Sequence, residues 1–248
     1  MKYQAIENRY IAFLKNIKRY FENSTNRTLF QKRNTIKIVN FETDNYVVKS
    51  FKIPHFLNRV VYRFFRASKA KRSYLNSVKL LELKINTPKP IGYIEFTSIF
   101  FFQESFYVSE FFDYDFEIRA VFKDKKFPDR ENILKEFIDF SYTLHKKGVY
   151  HIDYSPGNIL VKKENNRYIF SIIDVNRMKF IEMPIELCMQ SLAKLTKDKE
   201  DNAKILEFYG ALSDESMLEL KNCFTNSLLA EKNYLAKKKR IKKLKKYN

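Results

Sequence analysis

From about Ile6 to Phe21 the apolar positions Tyr10, Phe13, Leu14, Ile17 and Phe21 recur three and four apart, which predicts a helix with one buried face. The polar stretch Glu22-Asn23-Ser24-Thr25-Asn26 breaks it. Three β-rich pieces follow, Thr28-Leu29-Phe30, Thr35-Ile36-Lys37-Ile38-Val39 and Tyr46-Val47-Val48-Lys49-Ser50-Phe51, with Glu42-Thr43-Asp44-Asn45 as a turn. Enrichment in β-branched and aromatic residues between polar breaks predicts a small antiparallel meander. Pro54 ends it. A second helix is predicted over Lys71–Leu83, presenting Leu75, Val78 and Leu81, and is stopped by Asn86-Thr87-Pro88-Lys89-Pro90. The runs Ile91–Phe96, Ser98–Phe102 and Phe106–Phe112 then supply two or three more strands, for a five-stranded sheet with one flanking helix.

Beyond Glu110–Tyr114, the expected crossing to a second lobe, the period changes. A short helix is predicted around Glu117–Phe122. A longer one covers Asn132–Lys147, with Leu134, Phe137, Ile138, Ser141 and Leu144 on one face. Two apolar strands follow, Ile159-Leu160-Val161 and a run ending Ile172-Ile173-Asp174, with Glu164-Asn165-Asn166 as the turn between them. Met178–Ser227 reads as helices with polar links, including Glu207 to Gly210. The expected organisation is an N-terminal lobe over 1–110, a C-terminal lobe over 111–230 and a basic tail over 231–248.

The chemistry concentrates in Gly148-Val149-Tyr150-His151-Ile152-Asp153-Tyr154-Ser155-Pro156-Gly157-Asn158, an His-x-Asp-x-x-x-x-Asn string set between helix and strand. Together with Asp174 on the next strand, it has the residue types that phosphoryl transfer from a magnesium nucleotide needs. One Asp orients the attacking hydroxyl, while an Asn and a second Asp hold the metal that neutralises the phosphates. Upstream, Lys49 alternates with apolar neighbours in a strand, the position from which a Lys contacts the α- and β-phosphates. The competing readings are an Asx-type turn at Asp153 and Asn158 and a solvent-facing Lys49. The order of the pieces, with the Lys strand upstream of the loop and the Asp174 strand, favours the catalytic one.

In composition, 45% apolar and 16% aromatic residues over 248 positions describe a globular chain large enough for a two-lobed domain. The net charge of +18 favours anionic partners, although Lys as generic surface would give the same excess. From His55 to Arg72, Phe56, Leu57, Val60, Val61, Phe64 and Phe65 alternate with basic residues. Such a helix fits an anionic membrane face, a nucleic acid, or the core with a solvated basic side. The tail Lys237–Lys246 is predicted to be disordered alone because like charges repel, and membrane and nucleic acid compete as its partner. Cys188 and Cys223 lie far apart, so neither a zinc site nor a disulfide framework is indicated. Residues 1–20 have no signal-peptide core, and no run has the roughly 18 apolar residues of a spanning helix. The expected location is cytoplasmic, with peripheral contact to the inner membrane allowed.

With these pieces in place, the chain resembles the lipopolysaccharide kinase family, the Kdo and heptose kinases of Gram-negative bacteria. The resemblance runs from Arg33-Asn34 through the Lys49 strand and Asn86–Pro90 to Ile173-Asp174-Val175-Asn176-Arg177-Met178, with Asp-x-Asn-Arg especially similar. It implies an α+β, protein-kinase-like fold, with an N-lobe antiparallel sheet plus helix and a mostly helical C-lobe. It also implies ATP-dependent phosphorylation of a sugar hydroxyl on the lipopolysaccharide inner core, with ATP and Mg2+ as cofactors and a glycolipid or sugar of the lipid A–Kdo type as acceptor. By position, Asp153 corresponds to the catalytic base, Asn158 and Asp174 to the magnesium ligands, Lys49 to the phosphate contact, and His151 to a brace for the loop. Ile152 stands where many protein kinases have Arg, so control through a phosphorylated activation segment is not expected.

Two departures stand out. No Gly-x-Gly lies between the first strands, where the chain reads Gln31-Lys32-Arg33-Asn34. The second helix has no acid before Glu82 to pair with Lys49, so that ion pair is expected to be absent or rearranged. The alternative function is a kinase-like scaffold that binds a membrane or a partner without phosphoryl transfer.

Overall fold

The computed structural model describes residues 1–23, 25–32, 34–51, 66–98 and 101–244. The chain divides into two compact units. The first is Met1–Asp113 with Ser171–Arg177, and the second is Tyr114–Phe170 with Met178–Asn248. Ser171–Arg177, at the end of the strand that runs Arg167–Ile172 and just beyond it, thus belong with the N-terminal sheet, which a contiguous split of the sequence does not anticipate.

The first unit is built on one antiparallel sheet. Its strands are β1 (Lys2–Ala5), β2 (Arg27–Gln31), β3 (Asn34–Phe41), β4 (Asp44–Phe51), β5 (Pro90–Thr97) and β6 (Phe102–Glu110), in the spatial order β1-β5-β6-β4-β3-β2. Six strands form where five were expected, because the polar segment Lys2–Ala5 pairs along β5 and shows no alternation of its own. Gly92 permits that approach, since a Cβ there would lie 2.5 Å from the Gln4 carbonyl oxygen. Residues 99–100 of the expected middle run, most of the basic stretch His55–Arg72, and Arg33 lie outside the described residues.

The single N-terminal helix of the sequence pattern is two, α1 (Tyr10–Lys15) and α2 (Ile17–Glu22). Asn16 interrupts them with a non-helical backbone, its side-chain amide donating to the Ala12 carbonyl (3.0 Å). The apolar face survives the break. Tyr10, Phe13, Leu14 and Ile17 pack with Val39, Tyr46, Val48, Ile94, Phe106 and Val108 on one side of the sheet. The opposite side carries α3 (Lys69–Glu82), whose Ala70 and Tyr74 meet Phe51 and Tyr93. Of the expected face only Val78 packs here. Ser73, Tyr74, Ser77 and Leu80 are buried while Leu75 and Leu81 are exposed, because the helix packs by small and aromatic residues on a sheet already rich in rings.

The second unit contains β7 (Phe116–Glu117), α4 (Ile118–Lys123), α5 (Arg130–Lys146), β8 (Val149–His151), β9 (Ile159–Glu164) and β10 (Arg167–Ile172), which ends in the first unit's segment. It continues with β11 (Met178–Phe180), α6 (Ile185–Leu192), α7 (Lys199–Gly210) and α8 (Met217–Leu244). Asn165 and Asn166, both at positive φ, close the β9–β10 hairpin as a two-residue turn of the primed type. Glu207 to Gly210 forms the last turn of α7 and is no link. The described part of the basic tail is helical and not disordered, since α8 runs unbroken to Leu244. Buried Leu220 and Phe224 anchor its first turns and meet the cost of nucleation. Ala, Leu and Lys, with no Gly or Pro, then propagate it.

His145 tests how strongly the second unit encloses its core. The ring sits 6% exposed at the end of α5, where the helix dipole favours a cation, and shares a 3.0 Å hydrogen bond with the Tyr209 hydroxyl. Burial wins and pushes the imidazole pKa down to about 3. The unfolded chain therefore takes up a proton near pH 6.5 that the folded chain refuses. The stability from neutral His145 is complete above that pH and falls by about 1.4 kcal/mol per unit as acidity increases toward pH 3. Between pH 7 and pH 5, urea denaturation should show the wild type losing about 2 kcal/mol more than His145→Gln. Parallel losses would show that the imidazole titrates alike in both states.

Candidate active site

The loop of the second unit is shaped from both ends. Helix α5 stops at Lys146, with Lys147 as its C-cap, and Gly148 follows at φ +69°, donating its N–H to the His145 carbonyl (2.9 Å). A Cβ at Gly148 would lie 2.7 Å from the Ile181 carbonyl oxygen, so this turn excludes other residues on both conformation and space. Strand β8 then pairs antiparallel with β11, His151 opposite Met178, before the chain leaves the strand.

Inside the loop, backbone and side chains close on one another. The buried His151 ring accepts the Asp153 N–H at Nδ1 (3.1 Å), and its carbonyl accepts the Tyr154 N–H (3.1 Å). His151 does brace the loop, with Nδ1 unprotonated. Tyr154 turns inward, shares a 2.6 Å hydrogen bond with Ser141 and stacks on Phe137. Burial raises its hydroxyl pKa well above the ordinary tyrosine value. A short 3-10 turn at Pro156–Asn158 returns the chain, and the Asn158 amide nitrogen donates to the Asp153 carbonyl (2.9 Å). Asp153 and Asn158 are thus brought together, and the Asn158 side chain keeps its oxygen as a hard acceptor.

Two residues of this loop's surroundings carry no mark in the sequence. Lys194, just past α6, donates from Nζ to the Ile152 carbonyl (2.9 Å) and lies over the Tyr150 ring. The Arg119 guanidinium covers Gly157, whose missing side chain makes room for it. Neither residue has a motif neighbour, and only the folding of α4 and α6 onto the loop brings them there.

The other candidate residues, Lys49 and Asp174, lie in the first unit. Alternation along β4 sends Tyr46 and Val48 to the α1 side, and Lys49 with Phe51 to the α3 side. Lys49 is 13% exposed, so its solvent-facing reading fails, and its Nζ forms an ion pair with the Asp174 carboxylate. Asp174 has φ +59°, a conformation costing about 1–2 kcal/mol for a residue with a Cβ, though less awkward for Asp than for most. Lys49 and the Asn176 amide, which donates to the same carboxylate oxygen (2.8 Å), offset that strain. Upstream, the Ile172 N–H donates to the Asn86 carbonyl (3.0 Å) and the Thr87 hydroxyl to the Ile172 carbonyl (2.8 Å).

The expected rearrangement of the lysine's partner is therefore real. Glu82 meets Lys79 (3.1 Å), and Lys49 meets Asp174 instead of a helix glutamate. Asn176 was legible as part of Asp-x-Asn-Arg, but its hydrogen bond to Asp174 was not. Among the described residues no group of three or more His, Cys, Asp or Glu could hold a metal ion. Asp174 in the first unit and Asn158 in the second each carry a hard oxygen, and each is by itself a candidate ligand of the kind magnesium takes one or two at a time, with water and phosphate completing its shell.

A family model described as Lipopolysaccharide kinase (Kdo/WaaP) family matches residues 14–209. The chain belongs to this family. Among solved structures, WaaP in complex with acyl carrier protein is similar to this lipopolysaccharide kinase family member over 96% of this chain and 99% of that one. The TM-score is 0.66 at 15% identity. The streptomycin–ATP–APH(2")-IIa ternary complex is similar over 91% and 88% of the two chains, with TM-score 0.56 at 13% identity. At such identities the likeness speaks for the fold alone, and that fold is protein-kinase-like, as the resemblance implied. Comparison with curated protein sequences finds no significant match.

Removal of the Lys194 ammonium leaves the Ile152 carbonyl without its charged donor. Lys194→Met is expected to cost about 1–3 kcal/mol and to speed hydrogen exchange at the Asp153 and Tyr154 amides while the α5 amides stay protected. Unchanged exchange in the loop would show that Lys194 does not hold it.

Proposed function

We propose that this family member transfers the γ-phosphoryl group of ATP to a sugar hydroxyl, on Kdo or heptose, of the lipopolysaccharide inner core. The observation that carries the reading is the family match over residues 14–209, which takes in Lys49, the Asp153–Asn158 loop and Asp174. The ATP in the ternary complex with APH(2")-IIa belongs to a protein sharing only the fold, and it supports a nucleotide as donor here.

In this proposal Asp153 accepts the proton of the attacking hydroxyl as the oxygen approaches phosphorus in line with the leaving β-phosphate oxygen. Lys49 contacts the α- and β-phosphates. Asn158 and Asp174 present the oxygens that hold magnesium, whose positive charge lowers the cost of gathering phosphate oxygens in one place. The Lys49–Asp174 ion pair keeps the two side chains close before substrate arrives. With no Gly-rich turn between β2 and β3, backbone amides contribute less to phosphate binding, and side chains carry more of it.

Helix α8 supports a second element of the proposal, contact with an anionic inner-membrane surface. From Thr225 on, none of its described side chains is buried, and Lys232, Lys237, Lys238, Lys239 and Arg240 follow closely. Tyr234 (58% exposed) and Ile241 (45%) share one side of the helix, which gives a bilayer an apolar strip beside the basic residues. Among the described residues no helix is long and apolar enough to cross a membrane.

Thermal melting should rise with ATP only when magnesium is present. At about 100 times the dissociation constant the gain is roughly 2.7 kcal/mol, or several degrees at about 2–4 °C per kcal/mol. Asp174→Ala should lose the magnesium-dependent part. Asp153→Asn should keep nucleotide binding while turnover falls by about 10²–10⁴. No nucleotide response in the wild type would favour a kinase-like scaffold.

In flotation assays the full chain should bind liposomes containing anionic lipid, and truncation after Ala230 should reduce binding. Equal binding to neutral liposomes, or stronger competition by an oligonucleotide, would count against the membrane contact.

A further inference from the structure

The missing helix glutamate leaves a question of position. In a fold where an ion pair ties helix to lysine, the helix sets where the lysine stands; here Lys49 bonds to Asp174, and something else must relate α3 to that pair. Asn76 lies in the middle of α3 and donates from Nδ2 to the Val175 carbonyl at 2.7 Å, one residue beyond Asp174. The next residue, Ser77, is fully buried and shares a 2.9 Å hydrogen bond with the Tyr107 hydroxyl. Tyr107 is the β6 residue directly opposite Lys49 in the β4–β6 register. Two consecutive helix residues therefore reach to either side of the pair, one to the strand beside Lys49 and one to the backbone beside Asp174.

The residue type fits the task. A carboxylate has no hydrogen to offer a carbonyl, so a glutamate at this site could not make the bond to Val175, whereas an amide can. The carbonyl heads the short 3-10 turn Val175–Arg177 and follows directly on the strained φ of Asp174. With Thr87 holding Ile172 on the other side, Asp174 is suspended between two fixed backbone points.

We infer that Asn76 is the positioning residue of the nucleotide–metal site, replacing the helix-to-lysine ion pair by a helix-to-backbone hydrogen bond that holds Asp174 at the reach of Lys49. This rests on the kinase reading above. In this role Asn76 acts through the Asp174 segment.

The test compares wild type with Asn76→Asp, which keeps the shape and removes the donor, with Asn76→Ala, and with Asn76→His, which restores a donor. The readouts are melting temperature without ligand, the magnesium concentration for half-maximal ATP-dependent stabilisation, and kcat against KM for ATP. Asn76→Asp and Asn76→Ala should raise the half-maximal magnesium concentration about tenfold, equivalent to one lost hydrogen bond of about 1.4 kcal/mol, and lower kcat. Asn76→His should recover part of both. Unchanged magnesium dependence in Asn76→Asp, or a ligand-free melting loss with an intact magnesium-dependent increment, would overturn the inference. If the wild type itself shows no magnesium-dependent binding of ATP, the kinase reading fails, and the inference falls with it.

Discussion

The ion pair between Lys49 and Asp174 joins positions 125 residues apart and determines how the first unit is organised. A lysine ammonium only 13% exposed needs a counter-charge, and the chain supplies it by sending Ser171–Arg177 back to the sheet that Lys49 belongs to. That return is secured along its length by Asn86 and Thr87 at Ile172, by Asn76 at Val175 and by Asn176 at Asp174 itself. Each bond is ordinary. Together they hold a carboxylate in a backbone conformation it would not adopt alone.

The second unit solves a different problem, that of keeping a polar loop rigid with no more than a short 3-10 turn of its own. Its bonds run inward. Asp153 donates its N–H to the His151 ring, Tyr154 anchors in the core against Phe137 and Ser141, and Asn158 closes back on the Asp153 carbonyl. These bonds fix the backbone that carries the carboxylate oxygens of Asp153 and the amide oxygen of Asn158. Rigid placement of such oxygens is what phosphoryl transfer asks of a protein, since little covalent chemistry falls to the enzyme.

The departures from the wider kinase pattern follow one theme. Glycine is scarce, with 4 in 248 residues, and those present are spent where nothing else fits, at the close approach of β1 to Gly92 and in the turn at Gly148. Where other kinase-like chains use a glycine-rich turn or a helix carboxylate, this chain has basic residues and amides. Amide-for-carboxylate exchange also spares a second negative charge close to Asp174.

Much of this was legible in the sequence. The His-x-Asp-x-x-x-x-Asn string, the apolar run to Asp174, the Lys49 strand and the turn at Asn165–Asn166 are local patterns, and local patterns reflect local constraints on φ, strand alternation and helix ends. The protein-kinase-like fold and the family follow from their order. What the sequence withheld depends on contacts between distant segments. Strand β1 pairs through its backbone and has no pattern. The buried face of α3 is set by the sheet beneath it, and the tail is helical because its first turns are anchored at Leu220 and Phe224. Asn76, Lys194 and Arg119 look like any polar surface residue until the fold brings Val175, Ile152 and Gly157 within their reach. The sequence by itself determined the family and singled out the candidate groups, because residue type and spacing are written in it. Only the tertiary structure decided what holds them, because a hydrogen bond to a backbone carbonyl can be made from anywhere in the chain and leaves no motif.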